Sequence, residues 1–129
     1  MPDSYRDLRV WQCAMKLAVR VYNETEHFPR RELYGLSAQL RRAAISVPSN
    51  IAEGKGRRTD PDFLTFLFHA RGSLLELETQ ISLAEQLGYL SEFSSKSLLR
   101  DTAAVGSALT GLINSLKAAV SARALASGR

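Results

Sequence analysis

The stretch Ser-Val-Pro-Ser-Asn-Ile-Ala-Glu-Gly-Lys-Gly-Arg-Arg, residues 46–58, gathers hydroxyls, an amide, a carboxylate, two glycines and three cations. Phosphate binding is the first chemistry to test. A P-loop needs G-x-x-x-x-G-K-[ST] between a strand and a helix, so that backbone N–H groups and a lysine converge on the phosphate. Here Ser49 stands where the upstream glycine is needed and Gly56 follows Lys55 in place of Ser or Thr, which excludes the motif. A second candidate is Glu24-x-x-His27, the unit that di-iron bundles use twice. No second copy exists, because Phe66 stands three residues before His69, and Glu24 and His27 fall at a helix end. Glu76 and Glu78 are two apart and so lie on different helix faces, unsuited to paired acid-base work. Glu78 is better placed to bond a cation on a neighbouring helix, with Arg41 and Arg42 as the choices. The single cysteine, Cys13, and the two histidines form neither a zinc set nor a nucleophile with its base. No metal, no cofactor and no catalytic residue are therefore expected, and the protein reads as a non-enzyme.

Residues 46–58 instead read as a structural device. An interior proline costs a helix roughly 3 kcal/mol and frees the carbonyl four residues back, here Pro48 and Ala44. Ser46 and Asn50, one turn apart, can serve released backbone groups. Glu53 can pair with Arg57 or Arg58, and Gly54 is expected to supply a left-handed C-terminal cap.

The rest of the chain supplies helices to position these residues. Leu8, Trp11, Met15, Ala18 and Tyr22 recur at steps of three and four, predicting a helix over about 7–27 with that row as its core seam. Pro29 suits a first helical position, and Leu33, Leu36, Leu40, Ala43 and Val47 predict a second helix over about 30–53. Thr59-Asp60-Pro61 offers a cap. Phe63, Leu67, Ala70, Leu74, Leu77, Ile81 and Ala84 then hold an unbroken rhythm up to Gly88, predicting a helix over about 61–87. Ser91 is the expected N-cap of a fourth, Ala-, Gly- and Ser-rich helix over about 92–122, carrying Leu98, Thr102, Val105, Leu109, Leu112, Leu116 and Ala119. No period-two alternation is present. Short links between long helices make antiparallel neighbours, so the expected fold is an all-α, up-down-up-down four-helix bundle forming one domain over 1–129.

With 129 residues, 45% of them hydrophobic, the chain is long enough to bury a core. No apolar run approaches the roughly 18 residues of a membrane helix, and the first residues lack a secretory pattern, so a cytoplasmic protein with no membrane partner is expected. Two helices carry more apolar surface than one seam needs. Val10, Leu17 and Val21 form a second row on the first helix, and Leu64, Phe68 and Leu75 one on the third. These six are the candidate homo-oligomer interface.

Seventeen Lys and Arg against thirteen Asp and Glu give a net charge of +4. Arg6, Arg9, Lys16 and Arg20 make a basic stripe on the first helix. In an alternating bundle Lys55, Arg57, Arg58, Arg123 and Arg129 join Arg6 and Arg9 at one end, with Arg41 and Arg42 nearer the waist. Repeated around an oligomer, such a field favours RNA or DNA phosphates without reading sequence. The alternatives are a nucleic-acid-associated protein as partner, or an interaction scaffold whose charge serves only solubility.

The segments DLRVWQCAMKLA, FPRRELYGLSAQLRRAAISVPSNIAEGKGR, FLFHARGSLLELETQISLAEQLGYL and GLINSLK, in that order, resemble the four-helix-bundle family encoded by intervening sequences inside bacterial 23S ribosomal RNA genes. The resemblance spans roughly residues 5 to 118, with N-I-A-E-G and G-S-L-x-E-L-E intact. It implies a ring-like homopentamer with no known enzymatic activity. The family is in turn similar to the accessory variability determinant proteins of diversity-generating retroelements, basic pentamers that bind nucleic acid and a reverse transcriptase. The sequence departs from the pattern at Lys55, where an aromatic residue commonly follows N-I-A-E-G, and in its Ala-rich fourth helix.

Overall fold

The computed structural model describes residues 4–127; the first three residues, Gly128 and the candidate cation Arg129 lie outside them. Four helices, α1 (Arg9–Thr25), α2 (Leu36–Lys55), α3 (Asp60–Gln86) and α4 (Glu92–Ala126), pack together, with no strand among the described residues. Leu40, Ile51, Leu67, Leu77, Ile81, Leu98, Leu109 and Ile113 are fully buried. Each such side chain contributes about 1.5–3 kcal/mol of apolar transfer.

The two long helices start and stop where their polar residues dictate. Thr59 Oγ accepts the Asp62 amide at 3.3 Å, and Pro61 follows inside the first turn, where its missing N–H costs nothing. At the other end of α3, Gly88 adopts φ +82 and the amides of Gly88 and Tyr89 bond back to Glu85 and Ala84 at 3.0 and 2.9 Å. This geometry closes the last open carbonyls of a helix and requires a left-handed residue. Ser91 caps α4 by accepting the Ser94 amide at 3.0 Å. All seven residues of the expected α3 row are buried. In α4 the inward row includes Ile113, whereas Leu112 is only half-buried beside it. Among the described residues α4 is also the one helix that, by length and composition alone, is apolar enough to cross a membrane, contrary to the sequence expectation. Its Leu98, Val105, Leu109, Ile113 and Leu116 nevertheless lie in the shared core.

The first helical pair departs from expectation. Pro29 does not open α2. It precedes a single 3-10 turn over Arg30–Glu32, and α2 begins only after Gly35. Glu32 explains the delay: its Oε1 accepts the Leu36 amide at 3.0 Å, and its Oε2 accepts the Tyr89 hydroxyl at 2.8 Å. One carboxylate thus caps α2 and ties it to the α3–α4 link. The Leu36 amide foremost, then the Tyr89 hydroxyl and the Arg31 charge, hold the Glu32 carboxyl below the usual 4.5. A depressed folded-state value means that this stabilisation is present above pH 4.5 and is lost as pH falls through the folded value. Between pH 7 and pH 3, wild type is therefore expected to lose more thermal stability than Glu32→Gln, as followed by circular dichroism. Equal losses in the two proteins would refute the link.

In α1 the inward row is Val10, Ala14, Leu17, Ala18, Val21 and Thr25. The expected seam faces the edge instead, with Met15 and Tyr22 each 39% exposed; only its Ala18 is buried. The buried row is made mostly of small and β-branched side chains, whereas the bulkier Trp11 and Tyr22 carry polar atoms that favour a position reached by water.

Candidate nucleic-acid interface

Pro48 sits buried inside α2, and the helix continues through it. Asn50 Nδ2 donates to the Ser46 carbonyl at 2.8 Å and to Ser46 Oγ at 3.0 Å, and Ser73 Oγ of α3 donates to Ser46 Oγ at 2.8 Å. Asn50 therefore serves the Ser46 carbonyl, not that of Ala44. Glu53 pairs with Arg57 at 3.0 Å, one turn on.

Gly54 is not a left-handed cap: it is a buried helical residue, and the only described positive φ belongs to Gly88. A Cβ there would lie 2.7 Å from Phe66 Cβ and 2.9 Å from Phe63 Cδ1. The glycine exists for close α2–α3 approach. The chain leaves α2 at Gly56, which has an ordinary φ of −78.

The nine candidate basic residues divide by partner. Arg20 is pinned to α4 by Asp101 and by Ser97 Oγ at 3.1 Å, with Glu24 at 3.9 Å. Arg41 turns toward α1, donating to Thr25 Oγ at 2.8 Å and to Glu26 at 3.2 Å, and stacks over Tyr22. It makes no bond to Glu78, the carboxylate the sequence suggested. Arg57 is held by Glu53 and lies over the Phe66 ring. These three guanidiniums are already occupied in building the protomer. Arg6, Arg9, Lys16, Arg42, Lys55 and Arg58 form no ion pair among the described residues, and all but the half-buried Lys55 are exposed. Arg6 rests its guanidinium over both Tyr5 and Trp11, at 5.4 and 5.6 Å from the ring centroids. Sequence reasoning missed Arg100, another exposed cation without an ion pair there, one residue before the Asp101 that anchors Arg20. Its position on the Ala-rich helix, away from the N-terminal cluster, gave no signal.

Several contacts join residues near the helix ends. Tyr5 and Ala52 line the same groove, Gly54 lies against Phe63 and Phe66, and Arg123 near the end of α4 pairs with Asp60 at the start of α3 at 2.6 Å. The candidate interface residues also divide. Val10, Leu17 and Val21 are 4%, 2% and 1% exposed inside the protomer, so they belong to its core and not to an outer contact surface. Leu64 is half-buried, while Phe68 and Leu75 are exposed on α3. Among the described residues no group of three or more His, Cys, Asp or Glu side chains is placed to hold a metal.

An all-helical, four-helix protein with exposed cations that form no ion pair among the described residues is the class these observations define. Its family follows from comparison: the family described as 23S rRNA-intervening sequence protein matches residues 6–111, and the chain belongs to it. A crystal structure from Bacteroides thetaiotaomicron, of a protein of unknown function from the S23 ribosomal protein family, is similar in fold. It has a TM-score of 0.73 and 22% identity, covering 81% of this chain and 97% of that one. No curated protein matches the chain.

Proposed function

We propose that the protein is a non-enzymatic, cytoplasmic homo-oligomer that holds RNA or DNA by its phosphates. The contacts between helix ends support an antiparallel, up-down-up-down order, which brings Arg6, Arg9, Lys55, Arg58 and Arg123 toward one end. The observation that carries the reading is that Arg6, Arg9, Lys16, Arg42 and Arg58 are exposed without a carboxylate partner among the described residues. Cations left free in the folded protomer can release counterions from a phosphate backbone, whereas Arg20, Arg41 and Arg57 must first give up a partner.

Fluorescence anisotropy with a generic single-stranded RNA tests this. If about four cations each neutralise one phosphate, raising salt from about 50 to 200 mM lowers affinity roughly 50-fold. Arg9→Glu with Lys16→Glu flattens that slope, while Arg57→Ala changes it little. Binding that is indifferent to salt, or absent at low salt, defeats the reading. The apolar groove between α1 and α2 favours a second reading, an interaction scaffold. That reading predicts a protein partner that stays bound after nuclease treatment.

A further inference from the structure

The polar-tipped aromatic side chains gather on one side of the protomer. Trp11, Met15 and Tyr22 of α1 and Ile45 and Pro48 of α2 line a groove of about 470 Å³, which Tyr5 also borders. It runs on into a second depression that shares Tyr22 and Ile45 and adds Tyr34 and Arg42. The chain has four Tyr, one Trp and five Phe. Tyr5, Trp11, Tyr22 and Tyr34 all line this one channel, and among the described residues no Phe does. Rings with a polar tip suit a surface that is both apolar and wet. Trp11 and Tyr22, on one face of α1, stand about 17 Å apart at 1.5 Å per residue. That is the length of about five stacked nucleotides at about 3.4 Å each.

Planar cations already lie on these rings. The Arg6 guanidinium sits 5.4 Å from the Tyr5 centroid and 5.6 Å from that of Trp11, and Arg41 sits 4.7 Å from that of Tyr22. A ring face that accepts one flat, delocalised group accepts another, and a nucleobase is a flat group that stacks on aromatic side chains whatever its identity. Charge agrees. No carboxylate lines either stretch among the described residues, while Arg6 on the rings and Arg42 in the wall are exposed and form no ion pair there. The lack of Phe and of carboxylates favours a base-bearing strand over the protein partner of the second reading above.

We infer that the α1–α2 channel binds single-stranded RNA or DNA, stacking bases on Trp11, Tyr22 and Tyr34 and setting the flanking phosphates against Arg6 and Arg42. This rests on the phosphate reading above and adds that the bases, held by their flat faces, select a single strand. A duplex keeps those faces stacked inside and offers only its phosphates. Arg6, once a base displaces it from the rings, meets the neighbouring phosphate.

Trp11 is the only tryptophan, so its fluorescence reports on the channel directly. The protein is titrated with a mixed-sequence single strand, with the duplex that strand forms with its complement, and with an abasic strand of the same length. The single strand is expected to quench Trp11, and the duplex and the abasic strand to leave it unchanged. Tyr34→Ala and Tyr22→Leu are each expected to weaken single-strand binding about 5- to 150-fold, with the salt slope and duplex binding unaltered. Tyr34 is 92% exposed, so its truncation leaves the core intact, as circular dichroism should confirm. If single strand and duplex both bind, weaken alike with salt and leave Trp11 unquenched, or if neither ring variant weakens single-strand binding, the inference is overturned and the phosphate reading stands. A Trp11 spectrum that shifts with protein concentration before any nucleic acid is added means that a second copy fills the channel, and it overturns the inference as well. Failure of every strand to bind at low salt overturns both.

Discussion

Gly54→Ala is expected to destabilise the protein by about 1–3 kcal/mol, although the same exchange at an open helical position stabilises by about 1 kcal/mol. The sign reverses because of what the added methyl meets. Phe66 Cβ, 2.7 Å away, is fixed to the α3 backbone and cannot swing aside, and Phe63 Cδ1 at 2.9 Å belongs to a buried ring. Relief requires α2 and α3 to separate, which loosens the Ser46–Ser73 bond at 2.8 Å and the packing beyond it. For a chain of this size 1 kcal/mol corresponds to roughly 3–5 °C in melting temperature. The decrease should be plain in a thermal melt. Gly111→Ala is the control, because a Cβ there meets nothing within 4 Å and should raise the melting temperature slightly. If Gly54→Ala melts with or above wild type, α2 and α3 do not meet as closely as described.

The elements most legible in the sequence are those with one apolar row and explicit ends. In α3 the three-four rhythm from Phe63 to Ala84 is unbroken over seven residues, whereas the second row, Leu64, Phe68 and Leu75, is short and interrupted, so the buried face follows from spacing, and Thr59, Pro61 and Gly88 mark its limits. Ser91 marks the start of α4 equally well. Local rules fail where the deciding partner is remote. The start of α2 depends on Glu32, which also binds Tyr89, 57 residues on. Gly54 read as a cap because its sequence neighbours resemble a helix end, while its reason is Phe66 on another helix. The basic surface has the same limit. Glu53 lies one turn before Arg57 and that pair is visible in the sequence, but Asp101 neutralises Arg20 from 81 residues away. Only the folded chain separates the cations already spent on structure from those left for a ligand.

The α1 helix is the instructive failure, and it leads to the largest expected effect. Two apolar rows about 110° apart both fit a helix, and the row with the bulkier residues, Trp11, Met15 and Tyr22, reads as the seam. The structure buries the other. Leu17 is 2% exposed and Val19 is 56% exposed. Leu17→Ala is therefore expected to cost about 2–5 kcal/mol, the transfer term plus the cavity that neighbouring helices cannot refill. Val19→Ala should stay within about 0.5 kcal/mol in the isolated protomer. Urea unfolding across a range of protein concentrations separates two kinds of loss. A core truncation lowers stability equally at every concentration, whereas truncation at a subunit contact matters only where copies associate. Leu17→Ala should follow the first pattern, because its side chain is 2% exposed within the single protomer. A loss at Leu17 that vanishes on dilution would return Val10, Leu17 and Val21 to the outside of the protomer and make Trp11, Met15 and Tyr22 its core.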